Sequence, residues 1–207
     1  MFARVQTVEE LPTGGSAQGA LGPTEVVDLV AGHPGFCEAW SMHQLGGPRG
    51  TLVSLWATRE DAELASERST ERRGGPRPFA LAHDRVYQVR QVGEGPAGDR
   101  EPTVAQLTWF DGPRSEAQAA ADERAGTERL WPAVADTPGL VRSLALVADD
   151  RSYIHLGLAT GAEVLDEAQR RIMSTDLLPG EDLALLGGPD RIDVCTVLAG
   201  RRLRVQA

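Results

Sequence analysis

Two stretches of the sequence, about a hundred residues apart, carry the same features in the same order. The matches recur at offsets of 102 to 106 residues, and they are Pro34-Gly35 with Pro138-Gly139, Ala57-Thr58 with Ala159-Thr160, and Asp84-Arg85-Val86 with Asp190-Arg191-Ile192. Unrelated segments would not keep this order at a nearly constant spacing. The pattern predicts an internal duplication, and a duplicated chain is expected to fold as two similar halves.

Each half has the local signals of four strands and two helices. Alternating or apolar runs predict strands over 2–8, 36–44, 51–57 and 86–92 and again over 104–110, 140–148, 152–159 and 192–198. Helices are expected over 24–31, from Thr58 to about Arg73, from Ser115 onward, and from Thr160 to about Met173. The last three have capping-box spacing, which indicates a helix start, at Thr58 with Asp61, Ser115 with Gln118, and Thr160 with Glu163.

The order strand, helix, strand, strand, helix, strand is that of a ferredoxin-like unit, in which helices cover one face of an antiparallel sheet. Two such units can cover their bare sheet faces by pairing with each other. The sequence therefore predicts an α+β chain of two tandem ferredoxin-like (βαββαβ) repeats that form an internal α/β barrel. The repeats are placed at 1–92 and 103–207, with the Gly- and Pro-containing stretch 93–102 as linker. Such a chain is expected to be a monomer with an internal pseudo-dimer, or a weak homodimer.

Composition narrows the classes of function. Acidic residues outnumber basic ones by 30 to 21, so the formal charge is −9, which disfavours nucleic acid as a partner. The chain has no Lys, which excludes Schiff-base chemistry and the lysine of a phosphate-binding loop. No apolar run reaches the roughly 20 residues that span a bilayer, so we expect a cytoplasmic protein with no membrane partner. Cys37, His33 and His43 lack the spacing of metal ligands, and no metal site is predicted.

One local pattern points to a known family. Pro-Gly-Phe at 34–36 is followed by a hairpin and then by Trp-Ala-Thr-x-Glu-Asp-Ala at 56–62, in which an acidic helix start follows a strand-terminal Trp. This pattern resembles the antibiotic-biosynthesis-monooxygenase-like domains of the dimeric α/β-barrel superfamily. The resemblance implies a cofactor-independent monooxygenase-like enzyme that acts on a small aromatic or polyketide-type substrate. The alternative is a non-catalytic ligand-binding or interaction protein with the same fold.

The resemblance is incomplete at the positions that carry chemistry. Trp56 matches the strand-terminal Trp of the family, but Leu52 stands where such enzymes have an Asn, and Ala62 where they have a Tyr. The haem-degrading relatives use an Asn, a Trp and a His, and this chain has no Asn at all. The resemblance therefore implies no cofactor.

Strand alternation suggests which polar side chains could meet a ligand. Arg4 and Gln6 alternate with small apolar residues on the first strand, as do Gln106 and Thr108 on the fifth, so these four are expected to face the barrel interior. Arg4 could hold a phenolate or carboxylate of the substrate, although a solvated rim position is the alternative. His155 is the candidate base, and a hydrogen-bonded core His is its alternative.

Sequence alignment of the two halves indicates unequal sites. At an offset of 102, Trp56 is opposed by Leu158 and Val53 by His155. Loss of a Trp removes an aromatic wall and its indole donor. We therefore expect one pocket, in the first half, with Trp56 as its aromatic wall and Arg4 as its polar contact.

Overall fold

A computed structural model describes residues 1–9, 21–73 and 81–203, with the side chains of 66, 70, 72 and 73 left aside. The Gly- and Pro-rich stretch of the sequence at 11–23 lies mostly outside these residues. The strands are β1 Phe2–Val8, β2 Phe36–Gln44, β3 Gly50–Trp56, β4 His83–Glu94, β5 Val104–Phe110, β6 Leu140–Val147, β7 Tyr153–Ala159 and β8 Arg191–Arg202. The helices are α1 Pro23–Ala31, α2 Arg59–Arg73, α3 Glu116–Ala125, α4 Trp131–Val134 and α5 Ala162–Met173.

The order of elements follows the prediction in both halves. Hydrogen bonds connect the eight strands of the described residues in the order β1-β3-β2-β8-β5-β7-β6-β4, which closes into an antiparallel barrel. The α+β barrel class is thereby confirmed. A common origin of the two halves, and the domain boundaries at 92 and 103, stay predictions. Cys37 and Cys195 are free thiols. None of the described helices is long and apolar enough to cross a membrane.

The chain divides into two compact units. The first unit comprises Met1–Gln88 and Cys195–Ala207, and the second comprises Val89–Val194. Strands β4 and β8 each contribute residues to both units, which a sequence-based cut between repeats does not anticipate.

In the first unit, helices α1 and α2 cover one face of the sheet. Strand β1 pairs with β3 on one side and with β4 on the other, both antiparallel. Val27 of α1 and Ala62 and Ala65 of α2 pack against Phe36 and Trp56 of the sheet. This core holds the helices on the face that carries Phe2, Leu52 and Trp56.

In the second unit, β7 lies between β5 and β6. Val164 and Leu165 of α5 and Val134 of α4 pack against Leu140 and Ala159 of this sheet. The predicted long helix runs from Glu116 to Val134 as α3, a π-helical turn at Gly126–Leu130, and α4. π-Helical turns are rare and are found frequently at functional sites.

The predicted helix starts are correct at two positions and wrong at a third. Ser115 accepts the Gln118 amide while the Gln118 side chain accepts the Ser115 amide, a complete capping box. Thr58 accepts the Asp61 amide at 3.1 Å. The third helix, α5, begins one residue later than expected, with Gly161 as its N-cap. The Thr160 hydroxyl donates instead to the Gly139 carbonyl at 3.3 Å.

A close backbone approach at Gly95 gives a stability prediction. The Gly95 amide donates to the Val141 carbonyl, and a Cβ atom at Gly95 would lie 2.2 Å from the Leu140 carbonyl oxygen. Because that oxygen is backbone, it cannot rotate away. We expect Gly95→Ala to lower the free energy of unfolding by about 1–3 kcal/mol, the usual cost of overpacking. Urea denaturation checks this value, with Gly187→Ala as control because no described atom lies within 4 Å of its added methyl. Equal stability of the two variants would contradict the prediction.

Candidate functional site

Arg4 lies on the helix-covered face, so the prediction that it faces the barrel interior is wrong. Its Nη1 donates to the carbonyl oxygens of Ala62 and Glu63 in α2 at 2.8 and 2.7 Å. Its Nε and Nη2 donate to the two carboxylate oxygens of Asp84 at 2.6 and 2.8 Å. Arg4 therefore joins β1, α2 and β4, and these contacts engage all three of its nitrogens.

Gln6 and Trp56 lie on the same face. Gln6 Nε2 donates to Asp84 Oδ2 at 3.0 Å. Trp56 is fully buried, its indole N–H donates to Ser54 Oγ at 2.9 Å, and its ring meets Phe36 edge-on at 5.8 Å between centroids. The interior prediction failed here because it assigned small apolar residues to the helix-covered face. The space beneath the helices is instead filled by the larger side chains of Phe2 and Trp56.

A second group of polar side chains lies across the sheet of the second unit. Gln106 is opposite Gly157 and Thr108 is opposite His155 in the β5–β7 register. Ser143 is opposite Gly157 in the β6–β7 register. On the same face, Val104 and Ala159 pack with Val164 and Leu165 of α5, so this face is also helix-covered. The interior prediction is therefore wrong for Gln106 and Thr108 too, although the structure does bring them beside His155.

His155 is held as a neutral imidazole. Its Nε2 lies 2.8 Å from the Oγ of Ser143, which is itself buried. Burial lowers the pKa of His155 to about 4, because the surroundings disfavour the charged form. The side chain of His155 is only partly accessible. At neutral pH the ring is therefore unprotonated and has a free nitrogen lone pair.

Two polar atoms in this group of side chains have no protein partner in the described part of the chain. Gln106 Nε2 donates to Thr108 Oγ1 at 3.2 Å. Among the described residues, neither Gln106 Oε1 nor His155 Nδ1 has a hydrogen-bond partner. Gln106, Thr108 and His155 are all partly accessible although each lies within a strand beneath the helices. Neither atom is fully buried, so each is open to a hydrogen bond with water or a ligand.

An aromatic and charged cluster, which was not expected from the sequence, lies next to Thr108 and His155 at the ends of β5 and β7. Phe110 and Tyr153 stack with centroids 4.1 Å apart, and the Arg114 guanidinium lies 5.8 and 5.5 Å from the two ring centroids. Arg114 Nε and Nη2 donate to Asp122 Oδ2 at 2.9 and 2.6 Å. Burial raises the pKa of Tyr153 and that of the Asp122 carboxyl. The sequence does place an aromatic residue at the end of the predicted strand 104–110 and another at the start of the predicted strand 152–159, and the structure pairs these two residues.

The strand registers correct the alignment of the two halves. Phe2 is opposite Trp56 and Val104 is opposite Ala159, so Trp56 corresponds in position to Ala159 rather than to Leu158. By the same register His155 corresponds to Leu52, not to Val53. Leu52 of the first unit and His155 of the second therefore occupy corresponding positions on the helix-covered faces of their sheets.

The chain is similar to proteins of known structure. No protein-family profile and no curated protein sequence matches it. A proposed monooxygenase from Fusobacterium nucleatum is similar in structure, with a TM-score of 0.67 at 9% identity over 97% of this chain and 94% of that one. An anthrone oxidase-like protein gives 0.59 at 16% identity, over 97% and 92%.

A third structure carries the name of the family. A ferredoxin-fold protein from Listeria monocytogenes, related to antibiotic biosynthesis monooxygenases, gives a TM-score of 0.50 at 11% identity over 96% of this chain and 95% of that one. This chain has their fold. The resemblance to antibiotic-biosynthesis-monooxygenase-like domains is thereby confirmed at the level of fold. Because one fold supports many chemistries, function is argued from the site.

Proposed function

We propose that the protein is a cofactor-independent monooxygenase that oxidises a small polycyclic phenol or anthrone-type substrate at the helix-covered face of the second unit. The observation that carries the proposal is His155, a partly accessible imidazole with a lowered pKa, which lies opposite the Thr108 hydroxyl and near the unpaired Oε1 of Gln106. His155 occupies the position of Leu52, where the family resemblance implies a polar Asn. The fold shared with an anthrone oxidase-like protein supports the same chemistry.

The reaction needs a base and a place for negative charge. His155 takes a proton from the substrate, and the aromatic anion then reduces O₂ and forms a carbon–oxygen bond to it. The imidazolium returns its proton to the outer peroxide oxygen. Neutral His155 then takes the second hydrogen of the carbon as a proton, the C–H electron pair forms the carbonyl, and the O–O bond breaks to release hydroxide, which gains that proton and becomes water. One oxygen atom becomes the new carbonyl and the other leaves in water. A low-dielectric site strengthens the attraction between the imidazolium and the substrate anion.

Thr108 and Gln106 orient the substrate in this proposal. The Thr108 hydroxyl and the Gln106 amide lie on the strand next to His155 and offer hydrogen bonds to a phenol or carbonyl oxygen. Arg4, Gln6 and Trp56, expected from the sequence to bind substrate, are engaged in the packing of the first unit. Their role in this proposal is to support the fold.

The test follows oxidation of anthrone in air-saturated buffer by oxygen uptake and quinone absorbance. We expect protein-dependent turnover and a loss of about 10²-fold or more in His155→Gln, because a general base contributes roughly 10²–10⁴-fold. With labelled O₂, one labelled atom should appear in the quinone.

His33→Gln is the matched control. His33 is also buried, and its Nε2 lies 3.2 Å from Ser69 Oγ in the first unit, so it is a second histidine–serine pair outside the proposed site. Turnover in this variant should equal that of the parent. Absence of protein-dependent oxidation would overturn the proposed activity, and anthrone binding without turnover would favour the non-catalytic ligand-binding protein instead.

A further inference from the structure

Gly157 is a buried glycine in the middle of β7, where an added methyl group would meet no close neighbour. Its neighbours across the sheet are Gln106 on β5 and Ser143 on β6. A Cβ atom built on Gly157 would meet one described atom within 4 Å, Leu165 Cδ2 at 3.9 Å. Glycine weakens a strand interior and often marks a place where another group approaches closely.

Other strand glycines are filled by neighbouring rings. At Gly93 the ring of Trp131 would lie 2.4 to 2.6 Å from an added Cβ. At Gly200 the ring of Trp40 would lie 3.1 Å away. These two glycines make room for a protein side chain, whereas at Gly157 no described atom lies closer than 3.9 Å to an added Cβ.

Gly157 lies on the same face of the sheet as His155, the proposed base. His155 and Gly157 are two residues apart on one strand, so their side-chain positions share a face. Gln106, whose Oε1 is unpaired, is the cross-strand neighbour of Gly157. Ala145, another small residue, is opposite His155 on β6. Small residues at 145 and 157 thus lie beside Gln106, Thr108 and His155 on one face of the sheet.

We infer that Gly157 is the specificity-determining floor of a slot for a flat polycyclic aromatic ligand. One edge of the ligand reaches His155 and Thr108, and its rings extend across Gly157 toward Leu165. This inference rests on the proposed function for the position of the reacting edge. A side chain at 157 would occupy the place of the second ring, so this position selects the width of the substrate.

The experiment measures binding of 1,8-dihydroxyanthraquinone, a flat phenol that is already oxidised, by calorimetry to the parent, Gly157→Ala and Gly157→Val. We expect binding to weaken severalfold in Gly157→Ala and at least 30-fold in Gly157→Val. The urea midpoint of Gly157→Val should equal or exceed that of the parent, because valine favours strands and its Cβ lies no closer than 3.9 Å to a described atom. Loss of binding would then be separate from loss of folding.

Leu158→Val serves as control, because residue 158 is fully buried on the opposite face of the same strand. Its affinity should stay within threefold of the parent. Binding by Gly157→Val within threefold of the parent, or no binding by the parent, would overturn the inference. A parent that binds the quinone through Gly157 but does not oxidise anthrone would refute the proposed function and leave the slot established.

Discussion

The free energy of unfolding should fall by about 3 kcal/mol between pH 7 and pH 4 through His155 alone, and His155→Gln should abolish this contribution. The pKa of His155 is lowered from 6.5 to about 4 in the folded protein because the imidazole is buried. In the unfolded chain the same group titrates at its ordinary value. Each pKa unit of difference corresponds to about 1.4 kcal/mol.

The direction follows from proton counting. Between about pH 6.5 and pH 4 the unfolded chain binds a proton at His155 and the folded protein does not, so acid favours unfolding. The stability from this group is fully present above about pH 6.5 and is lost as the pH falls toward 4. The lowered pKa values of Asp61 and Glu167 add losses mainly at lower pH, where those carboxyls titrate.

Urea denaturation at half-unit pH steps provides the measurement. The parent and His33→Gln should both lose stability below pH 6.5 through His155, and His155→Gln should show a profile flatter by about 3 kcal/mol over the interval. The comparison uses slopes, so a uniform loss from removing the Ser143 hydrogen bond does not affect it. A His155→Gln profile parallel to that of the parent would show that the folded imidazole titrates normally.

Local signals were sufficient to predict most elements of the fold. Strands β2 and β5 have the predicted bounds because each is an extended run between turn residues. The capping box at Ser115 marks the start of α3 for a chemical reason, since its side chain and that of Gln118 satisfy each other's free amides. The prediction of a closed α+β barrel is confirmed by the order of the eight described strands.

The site was harder to predict because it depends on side-chain volume and strand register. Alternation separates two sets of residues on a strand but does not say which set faces the helices. Polarity suggested that Arg4 points away from α2, whereas Arg4 donates to two carbonyl oxygens of that helix. The sequence alignment used an offset of 102 residues between the halves, which matched His155 with Val53. The strand registers give an offset of 103 for this strand, which matches His155 with Leu52. A shift of one residue moves a side chain to the other face of the sheet.

Trp56→Ala should lower the free energy of unfolding by about 3–5 kcal/mol, the range for truncating a large buried aromatic side chain. The ring is fully buried and packs edge-on against Phe36, so its removal leaves a cavity under α1 and α2. It also leaves the Ser54 hydroxyl without the indole donor. Urea denaturation monitored by circular dichroism gives the value without relying on tryptophan emission.

Trp56→Phe separates the two roles that this residue could have. Phenylalanine keeps much of the apolar volume and loses the N–H donor to Ser54, so its cost should be roughly half that of alanine or less. Both variants, studied where they remain folded, should bind 1,8-dihydroxyanthraquinone like the parent, because Trp56 belongs to the first unit and its ring is inaccessible. Loss of binding in folded Trp56→Phe would instead show that this tryptophan forms the aromatic wall of a ligand site in the first half, as the sequence suggested.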